Sequence, residues 1–326
     1  MREYVISKFD SNQRVDKFIK KLLPNASLSL IYKTFRKKDI KINDKWVKQE
    51  YILKENDHLK IYLQDEIFLE SLKEKEVTEL PTNLDIIYED ENILIVNKEK
   101  GILIHGDKNE NIYTLSNKVI SYLFKKKEYN PKIDNFVPSP VHRLDRNTSG
   151  VCIFAKNMLT SQLLMEEFKS KDNLEKHYLA LVFNKTPLHL EINAPLLKDS
   201  NKNIVKVDYN SKDAKNALTI FDKIDGNEEY SLLNVNLITG RTHQIRVHLS
   251  YKGYPIVCDD KYGDFSKNKM FESKFKYKKQ FLHAYSIEFK NMKGHLKYLS
   301  NKKFIAKLPK DELLIIESLN LKCNIK

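Results

Sequence analysis

The sequence predicts an α+β protein in two parts, a small α+β module followed by a larger, strand-rich region with interspersed helices. The chain has 326 residues, which is more than one ordinary domain and too few for three. Its hydrophobic fraction of 41% is sufficient for a substantial core. We therefore expect a front module at residues 1–64 and a second domain at residues 83–326, joined by an acidic linker at residues 65–82.

The front module combines two amphipathic helices with a β-hairpin. In RVDKFIKKL the apolar residues fall on one helical stripe, and a second helix is predicted to begin after Ser27 as its N-cap. The pattern DIKINDKWVKQ indicates a hairpin that turns at Asn43 and Asp44, and HLKIYL alternates like a closing strand. The second helix carries a group of cations, which is typical either of an RNA-contacting face or of a solvated one: Lys33, Arg36, Lys37 and Lys38.

Composition predicts the linker, and the spacing of apolar residues predicts the strands and helices that follow it. DEIFLESLKEKEVTEL is acidic and ends at Pro81, so we expect a tether that does not bind RNA. Beyond Leu84, strands are predicted at LDIIYED, NILIVNK, HYLALVF, NALTIFDKI, SLLNVNLI and FLHAYSIEF. Helices are predicted at residues 114–125 and 157–169. Thr242 is predicted to cap a further helix, HQIRVHLSYK, which Gly253 ends.

Charge and cysteine usage narrow the class of protein. The formal net charge is +13, and Lys and Arg gain affinity for polyanions by releasing counterions, so a nucleic-acid partner is favoured. A lysine-rich proteome would raise the charge of unrelated proteins as well. The three cysteines form no C-x-x-C pair, which argues against a zinc site and a disulfide framework. The sequence has no signal peptide and no apolar run of about 20 residues, so we expect a cytoplasmic protein without membrane contact.

The densest group of reactive side chains lies in VHRLDRNTSG, immediately before the apolar strand VCIFAK. In this turn, which is rich in Ser, Thr and Gly, Asp145 lies between Arg143 and Arg146. Neighbouring arginines favour the ionised carboxylate, which makes Asp145 a candidate nucleophile or base. Taken alone, the segment is also compatible with a surface turn that holds ordinary ion pairs.

A second group of polar side chains lies in TGRTHQIRVH. Arg241 beside a helix N-terminus and Arg246 within its first two turns concentrate positive charge near potential phosphate contacts. His243 and His248 are five residues apart and do not share a helical face as a zinc pair would, so we interpret them as structural or RNA-facing. Tyr178, near the start of the strand in EKHYLALV, would be a core residue on its pattern alone.

These motifs resemble those of a known enzyme family. HRLDRNTSG resembles the catalytic signature of the RluA/RluC family of pseudouridine synthases, and the similarity continues in the family's order through YEDENILIVNKEKGILIHG, EKHYLALV, TGRTHQIRVHL, GYPIVCDDKYGD and FLHA. The front module resembles the RNA-binding domain of the ribosomal-protein S-four type. The resemblance implies a mixed, largely antiparallel sheet bent around a central cleft, with flanking helices, preceded by this RNA-binding domain.

The resemblance also implies roles for individual residues. Asp145 matches the catalytic aspartate, Tyr178 the tyrosine that stacks on the target base and assists proton movement, and Arg246 the basic residue that pairs with the aspartate. Arg143 matches an arginine that helps to displace the target nucleotide, and Leu282 lies where the family lines its base pocket. We add Arg241 and the cations of the second helix as RNA-binding residues.

The implied activity is conversion of specific uridines in large-subunit ribosomal RNA to pseudouridine by base flipping. The glycosidic bond is cleaved and re-formed without a cofactor or a metal, and we expect a monomer. Two alternatives stay open, namely the same chemistry on transfer RNA and a non-catalytic RNA-binding or ribosome-assembly factor. A metal-dependent hydrolase lacks a ligand set. One departure is Lys98-Glu99-Lys100-Gly101, where the family often has Lys-Pro-x-Gly, so Glu99 replaces a proline that would stiffen the turn.

Overall fold

The computed structural model describes residues 1–24, 26–71, 77–107, 109–131, 133–170, 173–199 and 204–323. The strands of the front module form one sheet, and the later strands form a much larger sheet with a two-stranded ribbon. We call the described residues from 77 onward the main body. The front module and the main body have separate hydrophobic cores.

The front module is a four-stranded antiparallel sheet with two helices packed against it. The strands are β1 (Arg2–Val5), β2 (Ile40–Ile42), β3 (Lys45–Trp46) and β4 (His58–Ile61), in the order β1-β4-β2-β3, and the helices are α1 (Val15–Leu22) and α2 (Leu28–Arg36). The Ser27 hydroxyl accepts a hydrogen bond from the backbone N–H of Leu30 at 3.1 Å, which confirms the predicted N-cap. Asn43 and Asp44 have φ of 51° and 65°, as a type I′ turn requires, so the hairpin is confirmed.

The acidic segment predicted as a tether begins with a helix that the sequence did not predict. This helix, α3 (Asp65–Ser71), buries Phe68 in the core of the front module, and the guanidinium of Arg2 lies 5.1 Å from the centre of its ring. Near the other end of the segment, Leu80 is buried and exchanges hydrogen bonds with the hydroxyl of Ser121. The acidic segment is therefore packed against the front module at its start and bonded to the main body near its end. Its residues 72–76 lie outside the described part of the chain.

The large sheet is mixed and largely antiparallel, as expected. Its strands are β5 (Ile86–Glu89), β6 (Ile93–Lys98), β7 (Ser139–Pro140), β8 (Ser149–Ala155), β9 (Leu174–Phe183), β10 (His189–Asn193), β13 (Leu218–Gly226), β14 (Tyr230–Leu237), β15 (Leu282–Phe289) and β16 (Lys303–Ile305), and the separate ribbon pairs β11 (Leu196–Asp199) with β12 (Ile204–Val207). The order is β10-β13-β14-β9-β15-β8-β6-β5, with β16 beside β15 and β7 beside β8. Among these neighbours only β8 and β15 run parallel.

Both faces of the central strands are covered. Along β6, Leu94 and Val96 face one core while Ile93 and Ile95 face the other, as alternation in a strand buried on two sides requires. The helices that cover the sheet are α4 (Leu115–Lys125), α5 (Met158–Ser170), α6 (Gln244–Tyr251), α7 (Phe265–Phe275), α8 (Lys310–Ser318) and a 3₁₀ helix (Gly294–Leu299). The positions of α4 and α5 confirm the two predicted helices. None of the helices in the described ranges is both long and apolar enough to span a bilayer.

The parallel contact between β8 and β15 depends on a glycine. Gly150 pairs with Ala284 and has φ of +112°, a backbone conformation that other residues rarely adopt. A Cβ atom on Gly150 would lie 2.2 Å from the carbonyl oxygen of Ala284. Any side chain there would therefore push two central strands apart. This contact fixes the point at which the loop that carries Asp145 enters the sheet.

Helix α6 does not begin as predicted. Its N-cap is His243, in the left-handed conformation with φ of 53°, and the imidazole makes no capping hydrogen bond. Thr242 lies one residue before this N-cap, so its assignment as the cap was wrong. The side-chain oxygen of Gln244 instead accepts from the backbone N–H of Arg241 at 2.9 Å and from the hydroxyl of Thr239 at 2.7 Å. An amide at the first helical position thus ties the preceding turn to the helix, which hydroxyl-based capping rules do not anticipate.

Candidate active site

A buried lysine, Lys98, holds the backbone of the loop that carries Asp145. The ammonium group of Lys98 donates to the backbone carbonyls of Glu99, Arg146 and Thr148, each at 2.9 Å. Burial lowers the pKa of Lys98 to about 8. The backbone of Gly101 adds a hydrogen bond to the Arg146 carbonyl at 2.9 Å. Asp145 therefore projects from a loop whose backbone is anchored just beyond the carboxylate.

The turn that lacks the expected proline is stiffened by a second buried lysine. Lys100 donates to the carbonyl of Gln280 at 2.6 Å and to the hydroxyl of Tyr277 at 2.5 Å, and it forms an ion pair with Glu312 of α8. The side chain of Gln280 in turn donates to the hydroxyl of Thr148 at 2.8 Å. These side-chain contacts hold the turn in place although Glu99 stands where the family often has a proline.

Asp145 forms an ion pair with Arg246 across the site. The Nη1 atom of Arg246 lies 3.0 Å from Oδ2 of Asp145, and the Asp145 side chain is 28% exposed. The same guanidinium donates from Nε and Nη2 to both carboxylate oxygens of Asp259, at 2.7 and 2.8 Å. Asp260 is a third, surface partner at 3.0 Å. Within this network Asp259 is 1% exposed, so a substrate could reach the carboxylates of Asp145 and Asp260 but not that of Asp259.

The electrostatics of this network keep the arginine and its buried partner ionised. Burial alone would lower the pKa of Arg246, but the hydrogen bonds and charges of Asp259 and Asp145 raise it above its ordinary value. Burial alone would raise the pKa of Asp259, yet Arg246 and the backbone N–H groups of Tyr262 and Lys261 lower it. The guanidinium of Arg246 therefore stays positively charged, and the carboxylate of Asp259 that binds it stays negatively charged.

A histidine and a tyrosine that the sequence reasoning did not assign to the site complete it. His243 shares a hydrogen bond between Nδ1 and the hydroxyl of Tyr262 at 2.8 Å, and its Nε2 lies 3.8 Å from Oδ1 of Asp145. Burial is the largest cause of a lowered pKa at His243, opposed by Asp145 and assisted by Arg246. The available signal was that His243 and Arg246 share one motif, TGRTHQIRVH, although the motif does not show that the imidazole faces Asp145.

Tyr178 and Leu282 lie in the hydrophobic core that includes the start of the Asp145 loop. Tyr178 lies on β9 and Leu282 on β15, and both belong to one hydrophobic cluster with Leu144, the residue before Asp145. Leu282 pairs with Ala180, two residues beyond Tyr178 on the same face of β9. Burial, together with the charge of Asp145, raises the pKa of Tyr178 well above its ordinary value, so the phenol stays protonated.

The other predicted site residues divide into two locations. Arg143 is exposed on the Asp145 loop, and Arg241 is exposed before α6 with its Nε donating to the Asn216 carbonyl at 3.1 Å. The four cations on α2 and directly after it, which we call the α2 cations, are exposed on the front module and are not part of the Asp145 network: Lys33, Arg36, Lys37 and Lys38. His248 is buried between Thr219 and the Ala194 carbonyl, which makes it structural.

The sequence and the fold match those of known proteins. Residues 92–251 match the RNA pseudouridylate synthase family. An uncharacterised RNA pseudouridine synthase of Mycoplasma capricolum is 38% identical over 94% of this chain and 97% of its own. Ribosomal large subunit pseudouridine synthase C of Haemophilus ducreyi is 37% identical over 89% of this chain and 88% of its own. The structure of human RNA pseudouridylate synthase domain containing 4 superposes with a TM-score of 0.59 at 22% identity, covering 73% of this chain and 93% of that one.

These similarities define a class of isomerase that acts on RNA without changing its composition. The chain belongs to the RNA pseudouridine synthase family.

Proposed function

We propose that this enzyme converts specific uridines of large-subunit ribosomal RNA to pseudouridine, with Asp145 as its catalytic carboxylate. The substrate class is supported by relatives of 34–38% identity that are named ribosomal large subunit pseudouridine synthase C. The observation that carries the choice of Asp145 is its 3.0 Å ion pair with Arg246 at a position that is mostly buried yet still reached by solvent. Asp260 contacts the same guanidinium at 3.0 Å but is 62% exposed, where water screens the pair. A catalytic carboxylate needs both features, because it must stay ionised and must meet its substrate.

The reaction is an isomerisation in which atoms and electrons balance. The bond from N1 of uracil to C1′ of ribose breaks, the base rotates, and C5 bonds to the same sugar carbon. The proton that C5 loses is replaced by one that N1 gains. A uridine inside folded RNA must first leave its stack, at a cost of a few kcal/mol. No water is consumed and no electron acceptor is needed.

One carboxylate suffices for this chemistry. Glycosidases use two carboxylates, because an acid must protonate a leaving group that departs and water must replace it. Here the detached base remains in the pocket and returns to the sugar. Asp145 supplies negative charge at the sugar or removes a proton there, while Asp259, buried against Arg246, holds the arginine in place.

The apolar side of the site receives the flipped base. A uracil seated against Tyr178 and Leu282 gains stacking worth about 1–3 kcal/mol, which offsets part of the unstacking cost. The protonated phenol of Tyr178 can donate a hydrogen bond to the rotating base. Arg143, exposed beside Asp145, occupies the space that the flipped nucleotide leaves in the RNA.

The front module anchors the RNA. Its two-helix, four-stranded arrangement is consistent with an RNA-binding domain of the ribosomal-protein S-four type. The exposed α2 cations would contact phosphates and thereby orient the RNA without reading its sequence. Base selection then falls to the site around Asp145.

The proposal is tested by mapping pseudouridines through carbodiimide-dependent reverse-transcription stops. Total RNA from cells with and without this enzyme is compared. Stops that disappear from large-subunit ribosomal RNA are the expected result and would identify the sites. Stops that disappear only from transfer RNA would retain the chemistry and overturn the substrate, and unchanged stops throughout would contradict the proposal.

A further inference from the structure

The outer face of the front sheet carries two exposed aromatic rings beside lysines. Trp46, the only tryptophan of the chain, is 51% exposed, and Tyr62 is 37% exposed. Lys41 on β2 pairs directly with Trp46 on β3, and cross-strand partners point to the same face of a sheet. On the opposite face, the neighbours of Lys41 in β2, Ile40 and Ile42, are buried in the core.

Lysines and rings form one contiguous path across this surface. The ammonium of Lys38 lies 5.1 Å from the centre of the Trp46 ring, and that of Lys41 lies 5.1 Å from the centre of the Tyr62 ring. Because β3 and β4 flank β2, the strands associated with the two rings are about 10 Å apart. We call Lys38, Lys41, Trp46 and Tyr62 the aromatic–lysine surface.

The acidic residues beside this surface form their ion pairs with another lysine: Asp44, whose charge interacts with that of Lys41, pairs with Lys60. Neighbouring Lys60 forms ion pairs with Asp44 and Glu3. By contrast, among the residues that the structure describes, neither Lys38 nor Lys41 has a carboxylate in direct ion-pair contact. The same holds for the other α2 cations, which lead directly into the surface: Lys33, Arg36 and Lys37. A polyanion is therefore the complementary partner.

We propose that the aromatic–lysine surface binds unpaired nucleotides of the RNA, with a base stacked on Trp46 and another on Tyr62. Stacking requires a free base face, which single strands and loops offer and the interior of a duplex does not. A base that covers the Trp46 ring displaces Lys38 from it, and the freed ammonium contacts the adjacent phosphate. The inference rests on the proposed function in taking RNA as the partner, and it adds single-stranded RNA next to the modified region as the feature recognised.

The test uses the full chain and two readouts. Quenching of the lone tryptophan reports on this surface in wild type, and fluorescence anisotropy of end-labelled RNA gives the affinity of wild type and of the variants that lack the tryptophan. The probes are a single-stranded uridine-rich 12-mer and a fully paired duplex of the same length. The single strand should quench Trp46 saturably, whereas the duplex should not. Trp46→Ala should weaken binding of the single strand by about 5- to 150-fold, the loss expected for one stacked base, and Trp46→Phe should restore most of it.

Tyr251→Ala provides a matched control. Tyr251 is also exposed with a lysine over its ring, Lys252 at 5.5 Å, but it lies at the end of α6 in the main body. This variant should bind the single strand like wild type. Equal losses in Tyr251→Ala and Trp46→Ala, or quenching of equal strength by the duplex, would overturn the proposal.

The inference and the proposed function can fail separately. If Trp46→Ala keeps full affinity while wild type modifies ribosomal RNA, the aromatic–lysine surface is wrong and the function stands. If wild type forms no pseudouridine, yet the single strand quenches Trp46 and the Ala variant loses affinity, the surface stands and the function fails.

Discussion

Asp259 binds the guanidinium of Arg246 through both carboxylate oxygens, at 2.7 and 2.8 Å, and this leaves Nη1 of the arginine directed at Asp145. A planar guanidinium held at two of its nitrogens cannot rotate, so the third is aimed without further restraint. The position of the cation beside the proposed catalytic carboxylate is therefore set by a residue that is itself buried.

Replacing this buried partner should impair catalysis more than RNA binding. In Asp259→Asn the arginine loses its buried anionic partner and is no longer held rigidly at two nitrogens. Displacement of a catalytic group by about 1 Å can lower a rate about 100-fold. We expect a drop of that order in the single-turnover rate of pseudouridine formation, with little change in RNA affinity. Asp260→Asn is the control, because Asp260 contacts the same guanidinium but is 62% exposed. Equal losses in the two variants would show that burial of Asp259 is irrelevant.

Acid should destabilise the fold partly through His283. This imidazole is buried, accepts from the Ser149 hydroxyl at 2.9 Å and donates to the Ala306 carbonyl at 3.0 Å. Burial lowers its pKa to about 4 from an unfolded value of 6.5. The unfolded chain then binds more protons between these values, so stability is present above pH 6.5 and is lost as the pH falls towards 4.

The measurement is urea unfolding at pH 7 and pH 5. Between these values wild type should lose about 2 kcal/mol more than His283→Gln, since each pH unit below 6.5 costs about 1.4 kcal/mol. His189→Gln, at an exposed imidazole, should behave like wild type. If His283→Gln lost as much stability as wild type over this interval, His283 would not be a buried neutral group.

The α2 cations should contribute affinity without sequence selectivity. Their joint replacement by Ala should weaken binding of all RNAs and lower the salt dependence of log K by about one for each phosphate that is no longer neutralised. The measurement is RNA affinity over a series of salt concentrations. A control variant removes four exposed lysines on or just after α7, which should have a smaller effect: Lys269, Lys274, Lys276 and Lys278. An unchanged slope in the α2 variant would exclude the front module as an RNA anchor.

The sequence predicted those features that local patterns determine. Asn43 and Asp44 tolerate positive φ, so the hairpin turn could be predicted from these two residues. The resemblance implied the pairing of Asp145 with Arg246, and these side chains lie 3.0 Å apart.

Other features depend on contacts between distant residues and were not predictable. Helix α3 is stabilised where Phe68 enters a core built by other elements, although its composition indicated a solvated tether. In the sequence Asp259 and Asp260 are two adjacent acidic residues that cannot be told apart. The fold shows that Asp259 is buried against Arg246 while Asp260 is exposed. The left-handed backbone that directs His243 at Asp145 and Tyr262 could not be predicted locally, because only a few per cent of residues other than glycine adopt it, even though histidine is among the types enriched there.

Asp145→Asn tests most directly whether Asp145 performs the chemistry. The substitution keeps the size of the side chain and its ability to accept from Arg246, and it removes only the negative charge. Single-turnover formation of pseudouridine and RNA affinity are measured on the same ribosomal RNA fragment. We predict that turnover is abolished while affinity remains close to that of wild type. A rate within about tenfold of wild type would contradict the account, because general acid–base or nucleophilic assistance is worth at least about 100-fold.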